Sequence, residues 1–118
     1  MRHLITLAAV FALATFAFLP AASARTHRTT ATTVGVTASE FKFKLTRKVV
    51  RRGTVVFKVR NAGKVPHDFK INHKRTPLLG PGHRATLRVV FKKRGKYRYL
   101  CTVSGHATLG MKGLLTVR

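Results

Sequence analysis

The stretch YRYLCTVSGHATLGMKGLLTV, residues 97–117, decides the fold. Tyr97 and Tyr99 stand on either side of a basic residue, which is the period of a half-buried strand. This strand leads into Cys101, and a glycine-containing loop, 102–110, follows it. Apolar residues then resume up to the end of the stretch. We therefore predict a strand that reaches one end of a domain, a loop that turns back, and a return strand beside the first.

The same alternation of apolar and basic residues recurs in four earlier runs. Their inward positions are Phe41, Phe43 and Leu45; Val55, Phe57 and Val59; Phe69 and Ile71; and Leu87, Val89 and Phe91. Turn signals separate the runs, at Arg52-Gly53, Asn61-Ala62-Gly63, Leu79-Gly80-Pro81-Gly82 and Arg94-Gly95. No helical period of useful length is present. Short strands between regular turns predict an all-β, two-sheet antiparallel sandwich, with a small closed barrel as the alternative.

The N-terminal end has the three-part pattern of a secretory signal peptide. A short polar start precedes an apolar run, 4–19, and the small residues Ala22-Ser23-Ala24 follow it. We predict a signal peptide over 1–24, a flexible Thr- and Arg-rich arm over 25–33, and one domain over 34–118. Cleavage near Ala24 exports the domain to the periplasm, the cell envelope or the medium. The alternative is a retained membrane anchor, although the run is shorter than the roughly 20 residues that span a bilayer.

The charge balance is strongly positive. Lys and Arg number 24 against two acids, Glu40 and Asp68, and the net charge is +22. Such a field attracts anionic partners, so we expect acidic proteins or an anionic cell-envelope surface. Export makes nucleic acid an improbable partner. The alternative explanation is solubility or an acidic medium, because many of the bases fall on outward strand positions.

The residue types in the deciding stretch indicate a metal. Cys101 is the sole cysteine, so it forms no internal disulfide, and a lone thiol in an oxidising compartment is usually buried or ligated. His106 and Met111 follow it at intervals of five residues, and His67 lies upstream, just after Pro66. Two imidazoles, one thiolate and one weak axial thioether form the ligand set of a blue-copper site. We therefore predict one mononuclear type 1 copper.

Two segments carry a resemblance to a known family. The stretch NAGKVPHDF, 61–69, looks like the segment around the first histidine ligand of cupredoxins, and GHATLGM, 105–111, looks like their final ligand loop. The resemblance covers 34–118 and implies a Greek-key β-sandwich. The roles it implies are thiolate ligation by Cys101, imidazole ligation by His67 and His106, and axial ligation by Met111.

The resemblance also implies features around the ligands. Family members expose the second histidine in an apolar patch, which Ala107, Leu109 and Pro66 would line here. Position 68, often Asn in the family, is Asp68 in this chain. We expect its carboxylate to hydrogen bond the backbone or hydroxyl of Thr102. A carboxylate beside copper favours Cu(II) and lowers the reduction potential.

These observations predict a monomeric carrier of single electrons. A saturated ligand set leaves no open position for a small-molecule substrate, so we do not expect an enzyme. Two alternatives use the same chain: a copper carrier or buffer in the cell envelope, and a cationic envelope-binding module without metal. We expect His73 and His83 to face solvent, and we assign His27 no role.

Overall fold

The computed structural model describes residues 11–26 and 30–118. Residues 11–26 are exposed and form neither helix nor strand. The predicted signal peptide, 1–24, and the predicted arm, 25–33, lie partly outside the described residues, and His27 lies wholly outside them. Among the described residues, no helix has the length and apolarity needed to cross a membrane.

The described part of the chain forms nine strands and no helix. They are β1 (Thr32–Ser39), β2 (Lys42–Leu45), β3 (Val49–Val50), β4 (Gly53–Asn61), β5 (Lys70–Ile71), β6 (Lys74–Arg75), β7 (Arg84–Phe91), β8 (Gly95–Leu100) and β9 (Lys112–Val117). The first strand thus includes the last two positions of the segment in which we predicted the arm.

The strands form two sheets, one of four strands in the order β2-β1-β4-β7 and one of five in the order β3-β9-β8-β5-β6. This confirms the predicted all-β sandwich. The prediction of wholly antiparallel sheets is wrong, because β1 pairs with β4 and β3 pairs with β9 in parallel. The chain crosses to the other sheet at β3 before β4 returns to the first, so β1 and β4 run in the same direction.

The core lies between the sheets and follows the predicted alternation. The fully buried Phe57 packs against Phe69 at a centroid distance of 5.3 Å, and basic residues occupy the outward positions between the buried ones. Truncation of a buried phenylalanine to alanine typically costs about 3–5 kcal/mol of stability. Phe41 departs from the pattern: it precedes β2 and is 36% exposed, beside His106.

The residues of the predicted site lie at one end of the sandwich. Strands β1, β4 and β8 end there and β9 begins there, and Ala38 of β1 lies in one buried cluster with Cys101 and Met111. We call this end the ligand pole. At the other end, which we call the opposite pole, β3, β7 and β9 finish and β4 and β8 start.

Candidate metal centre

Three side chains from separate parts of the chain converge at the ligand pole. His67 Nδ1 lies 3.1 Å from His106 Nδ1. Cys101 Sγ lies 4.0 Å from His67 Nδ1 and 3.6 Å from His106 Nδ1. Among the described residues, these are the His, Cys, Asp or Glu side chains whose donor atoms cluster closely enough to hold one metal ion. The structure thus brings together three of the four predicted ligands.

The triangle of donor atoms has the size that a metal ion requires. A point equidistant from the corners of a triangle with sides of 3.1, 3.6 and 4.0 Å lies about 2.1 Å from each corner. Imidazole nitrogen and thiolate bind a first-row ion such as zinc at about 2.0–2.3 Å. The three donors therefore fit one ion without rearrangement.

The loop after β8 places Cys101, His106 and Met111 by backbone hydrogen bonds. The Cys101 N–H donates to the Met111 carbonyl and the Met111 N–H donates to the His106 carbonyl, both at 3.1 Å. Gly110 has φ of 112°, a conformation that other residues adopt at a cost, and this permits the turn just before Met111. Met111, the predicted axial ligand, is fully buried in one cluster with Cys101.

An isolated β-bridge with Leu79 holds the first histidine, which lies between β4 and β5. His67 and Leu79 exchange backbone hydrogen bonds of 3.0 and 2.8 Å. The buried side chain of Asn61 then ties the preceding loop, because its Nδ2 donates to the carbonyls of Val65 and Leu79, and its Oδ1 accepts from the Gly63 N–H. His67 is 1% exposed, so these contacts fix a ligand that is almost wholly inside the protein.

Asp68 joins the two ligand segments as predicted. Its Oδ1 accepts from the Thr102 backbone N–H at 2.6 Å, and its Oδ2 accepts from the Thr102 hydroxyl. Arg75 Nε lies 4.0 Å from Oδ2 on the exposed side. Because Asp68 follows His67 and Thr102 follows Cys101, the carboxylate links the residues next to two predicted ligands.

Sequence reasoning missed Glu40, which follows β1 at the ligand pole. Its Oε1 lies 3.0 Å from His67 Nε2 and accepts from the Lys64 and Val65 N–H groups at 2.8 and 3.0 Å. The Val65 hydrogen bond is the main reason that the pKa of Glu40 falls to about 2. When the His67 Nε2–H donates a hydrogen bond to this carboxylate, Nδ1 keeps the lone pair that a metal needs.

One signal could have revealed Glu40. The chain contains two acids, and both lie at the ligand pole, although bases cover the strands. In so basic a chain, a carboxylate next to a strand end is unusual enough to be examined as a partner of a ligand.

The thiol is buried and its surroundings favour the neutral form. Burial is the largest cause that raises the pKa of Cys101, and the nearby carboxylate of Asp68 also raises it. Metal ligation requires the thiolate, so a bound cation is what would hold Cys101 deprotonated in this environment.

The second histidine lies at the rim of the site. His106 is partly buried, and the ring of Phe41 meets it edge-on at a centroid distance of 5.0 Å. Leu109 is 63% exposed, Pro66 is exposed and Ala107 is partly exposed. The residues predicted to line an apolar patch thus lie in the two ligand segments, and Phe41 adds an aromatic ring that the prediction did not include.

The remaining described histidines lie away from this cluster. His73 occupies the turn between β5 and β6 with φ of 63°, and His83 precedes β7. Both are exposed, which confirms that they face solvent.

Comparison with known proteins identifies the family. The family model of the cupredoxin-like domain matches residues 6–117. The chain therefore belongs to the cupredoxin-like family. Together with the donor set, this membership supports one mononuclear type 1 copper as the cofactor.

Solved structures share the fold. An auracyanin of the photosynthetic bacterium Roseiflexus castenholzii is 22% identical with a TM-score of 0.64, over 74% of this chain and 97% of that one. Auracyanin B is 20% identical with a TM-score of 0.61, over 74% and 88%. An azurin of the methylotroph Methylomonas sp. strain J is 13% identical with a TM-score of 0.60, over 74% and 98%. The search of curated proteins gave no match.

Proposed function

We propose that this protein carries single electrons through one type 1 copper bound by His67, Cys101, His106 and Met111. The observation that carries the proposal is the triangle of two Nδ1 atoms and one Sγ, which already has the dimensions of a metal site. Membership of a family whose members are generally electron carriers supports it.

Copper held by His67, Cys101, His106 and Met111 would supply reversible one-electron chemistry with little change in its surroundings. Hydrogen bonds within this chain hold the proposed ligands in position. Buried His67 is fixed from both sides by Leu79 and Glu40, and Cys101 is fixed by its backbone bond to Met111. A site held this firmly has little freedom to relax between oxidation states, which keeps the reorganisation energy of electron transfer low.

His106 is the side chain through which we propose that electrons enter and leave. It is partly exposed beside Phe41, and the exposed Leu109 lies three residues further along the loop, whereas the other imidazole is buried. An apolar rim allows close approach of a partner without displacing tightly held water, and the surrounding positive charge favours an acidic redox partner. Electron-transfer rates that fall steeply with added salt would support this steering.

Export is also part of the proposal. The apolar run 4–19, followed by Ala22-Ser23-Ala24, supports delivery to the periplasm, the cell envelope or the medium. Mass measurement of the mature protein tests it: a first residue of Arg25 supports cleavage, and an intact N-terminus on membranes supports a retained anchor.

The absorption spectrum after addition of Cu(II) tests the copper proposal. Thiolate ligation predicts an intense thiolate-to-copper absorption band in the visible range, which Cys101→Ser abolishes and which exposed His83→Ala, as a control, leaves unchanged. A colourless wild-type protein that binds no copper would refute the proposal. Reversible reduction without copper loss supports an electron carrier, and rapid loss to a chelator points instead to a copper carrier.

A further inference from the structure

Three arginines lie side by side at the opposite pole, each one residue beyond the end of one of three neighbouring strands. Val50 of β3, Val117 of β9 and Gly95 of β8 form one row across the sheet. Because β8 runs against the other two strands, the next row outward consists of Arg51, Arg118 and Arg94. We call these three residues the arginine row.

Backbone contacts hold the row in register. The Arg118 N–H donates to the Val50 carbonyl at 3.0 Å, and the Arg52 N–H donates to the Arg118 carbonyl at 2.9 Å. Neighbouring strands lie about 4.8 Å apart, so the three side chains start close together. All three residues are exposed, and together they line one recess of about 330 Å³.

No acidic side chain pairs with the row within the part of the chain that the structure describes. The ion pairs found there join Glu40 to His67 and Asp68 to Arg75, and both acids lie at the ligand pole. Three adjacent guanidinium groups therefore repel one another, and an anion between them would relieve this repulsion. Guanidinium groups match the geometry of phosphate and bind it through paired hydrogen bonds.

We propose that the arginine row binds a phosphate-type oxyanion, either as free phosphate or as the headgroup of an anionic phospholipid. The site lies at the far end of the sandwich from the candidate copper ligands and is independent of the proposed electron transfer. The chain also enters the fold here, because Thr32, the first residue of β1, pairs with Val55, close to the start of β4. A headgroup bound by the row would leave the ligand pole facing away from the lipid surface.

The test uses the full chain and two variants of equal charge. The first carries Arg51→Gln, Arg94→Gln and Arg118→Gln. The matched control removes three exposed arginines from the other sheet, Arg60→Gln, Arg84→Gln and Arg88→Gln. Inorganic phosphate is titrated by calorimetry, and binding is compared between vesicles of phosphatidylcholine alone and vesicles containing phosphatidylglycerol.

Loss of the arginine row should weaken one of these interactions at least about tenfold, and the control should weaken it less than about threefold. A selective effect on inorganic phosphate identifies the free ion as ligand, and a selective effect confined to phosphatidylglycerol vesicles identifies the headgroup. Equal losses in both variants, or none in either, would overturn the proposal, because the net charge alone would then account for binding. Circular dichroism of each variant, which does not depend on copper, verifies that the fold is intact.

An arginine-to-lysine variant of the same row separates shape from charge. It keeps all three positive charges but removes the planar fork of each guanidinium. We expect its affinity to lie between those of wild type and the glutamine variant. Wild-type affinity in the lysine variant would contradict the paired hydrogen bonds on which the proposal rests.

Discussion

Replacement of Asn61 by alanine should destabilise the metal-free protein by roughly 3 kcal/mol, at about 1 kcal/mol for each of its hydrogen bonds. The side chain is fully buried and makes three such bonds, to Val65, Leu79 and Gly63. Alanine supplies neither the donor nor the acceptor, so the Val65 carbonyl and the Gly63 N–H lose this partner, and the Leu79 carbonyl keeps only the His67 N–H. The change also loosens the loop before His67.

Urea denaturation of the metal-free protein measures this effect, with copper titration as a second measurement. Thr86→Ala, at an exposed position of β7, is the control and should change the free energy of unfolding by less than about 0.5 kcal/mol. Asn61→Asp keeps the acceptor for Gly63 but places a carboxylate against two carbonyls, so it should be no more stable than the alanine variant. A loss below about 1 kcal/mol in Asn61→Ala would refute the reasoning.

Further predictions concern the two acids and the core. Glu40→Gln should raise the reduction potential measured by voltammetry, because it removes a negative charge that favours Cu(II). Since the pKa of Glu40 is lowered to about 2, its carboxylate stays ionised, and the difference in potential between wild type and Glu40→Gln should be constant between about pH 4 and pH 8. Because this pKa is lowered on folding, the stability that Glu40 contributes is complete above its usual pKa of 4.5 and is lost as the pH falls toward 2. The free energies of unfolding of metal-free wild type and Glu40→Gln should therefore converge in acid. Gly63→Ala should shift the potential in the same direction as Glu40→Gln, since an added Cβ would clash with the Glu40 Oε1; an unchanged potential would show that the carboxylate does not act on the site. Asp68→Asn should raise the potential as well, and a value equal to that of wild type by voltammetry would remove the electrostatic role of Asp68. Phe57→Ala should cost about 3–5 kcal/mol in urea denaturation, and a cost below about 1 kcal/mol would contradict its place in the core.

The strands could be predicted from the sequence because the alternation of apolar and basic residues follows the alternation of buried and exposed positions along a strand. Val55, Phe57 and Val59 are buried as that pattern requires. The same pattern does not indicate strand direction, since side chains alternate identically in parallel and antiparallel pairs. The parallel pairing of β1 with β4 could therefore not be predicted from periodicity.

The donor cluster could be predicted because the types of its residues alone indicate a metal site. Cys101, His106 and Met111 are close in the chain, and the combination of donors is specific even before geometry is known. Glu40 could not be found in this way. Its contact with His67 spans 27 residues and exists because the end of β1 meets the loop after β4.

X-ray absorption at the copper edge of the copper-loaded protein tests the central claim most directly. The donor triangle predicts two imidazole nitrogens and one sulfur, each within about 2.3 Å of the metal. Loss of the short sulfur shell in Cys101→Ser, with the nitrogen shell retained, would complete the assignment. A wild-type spectrum with no sulfur at bonding distance would contradict the convergence of Cys101, His67 and His106 on one ion.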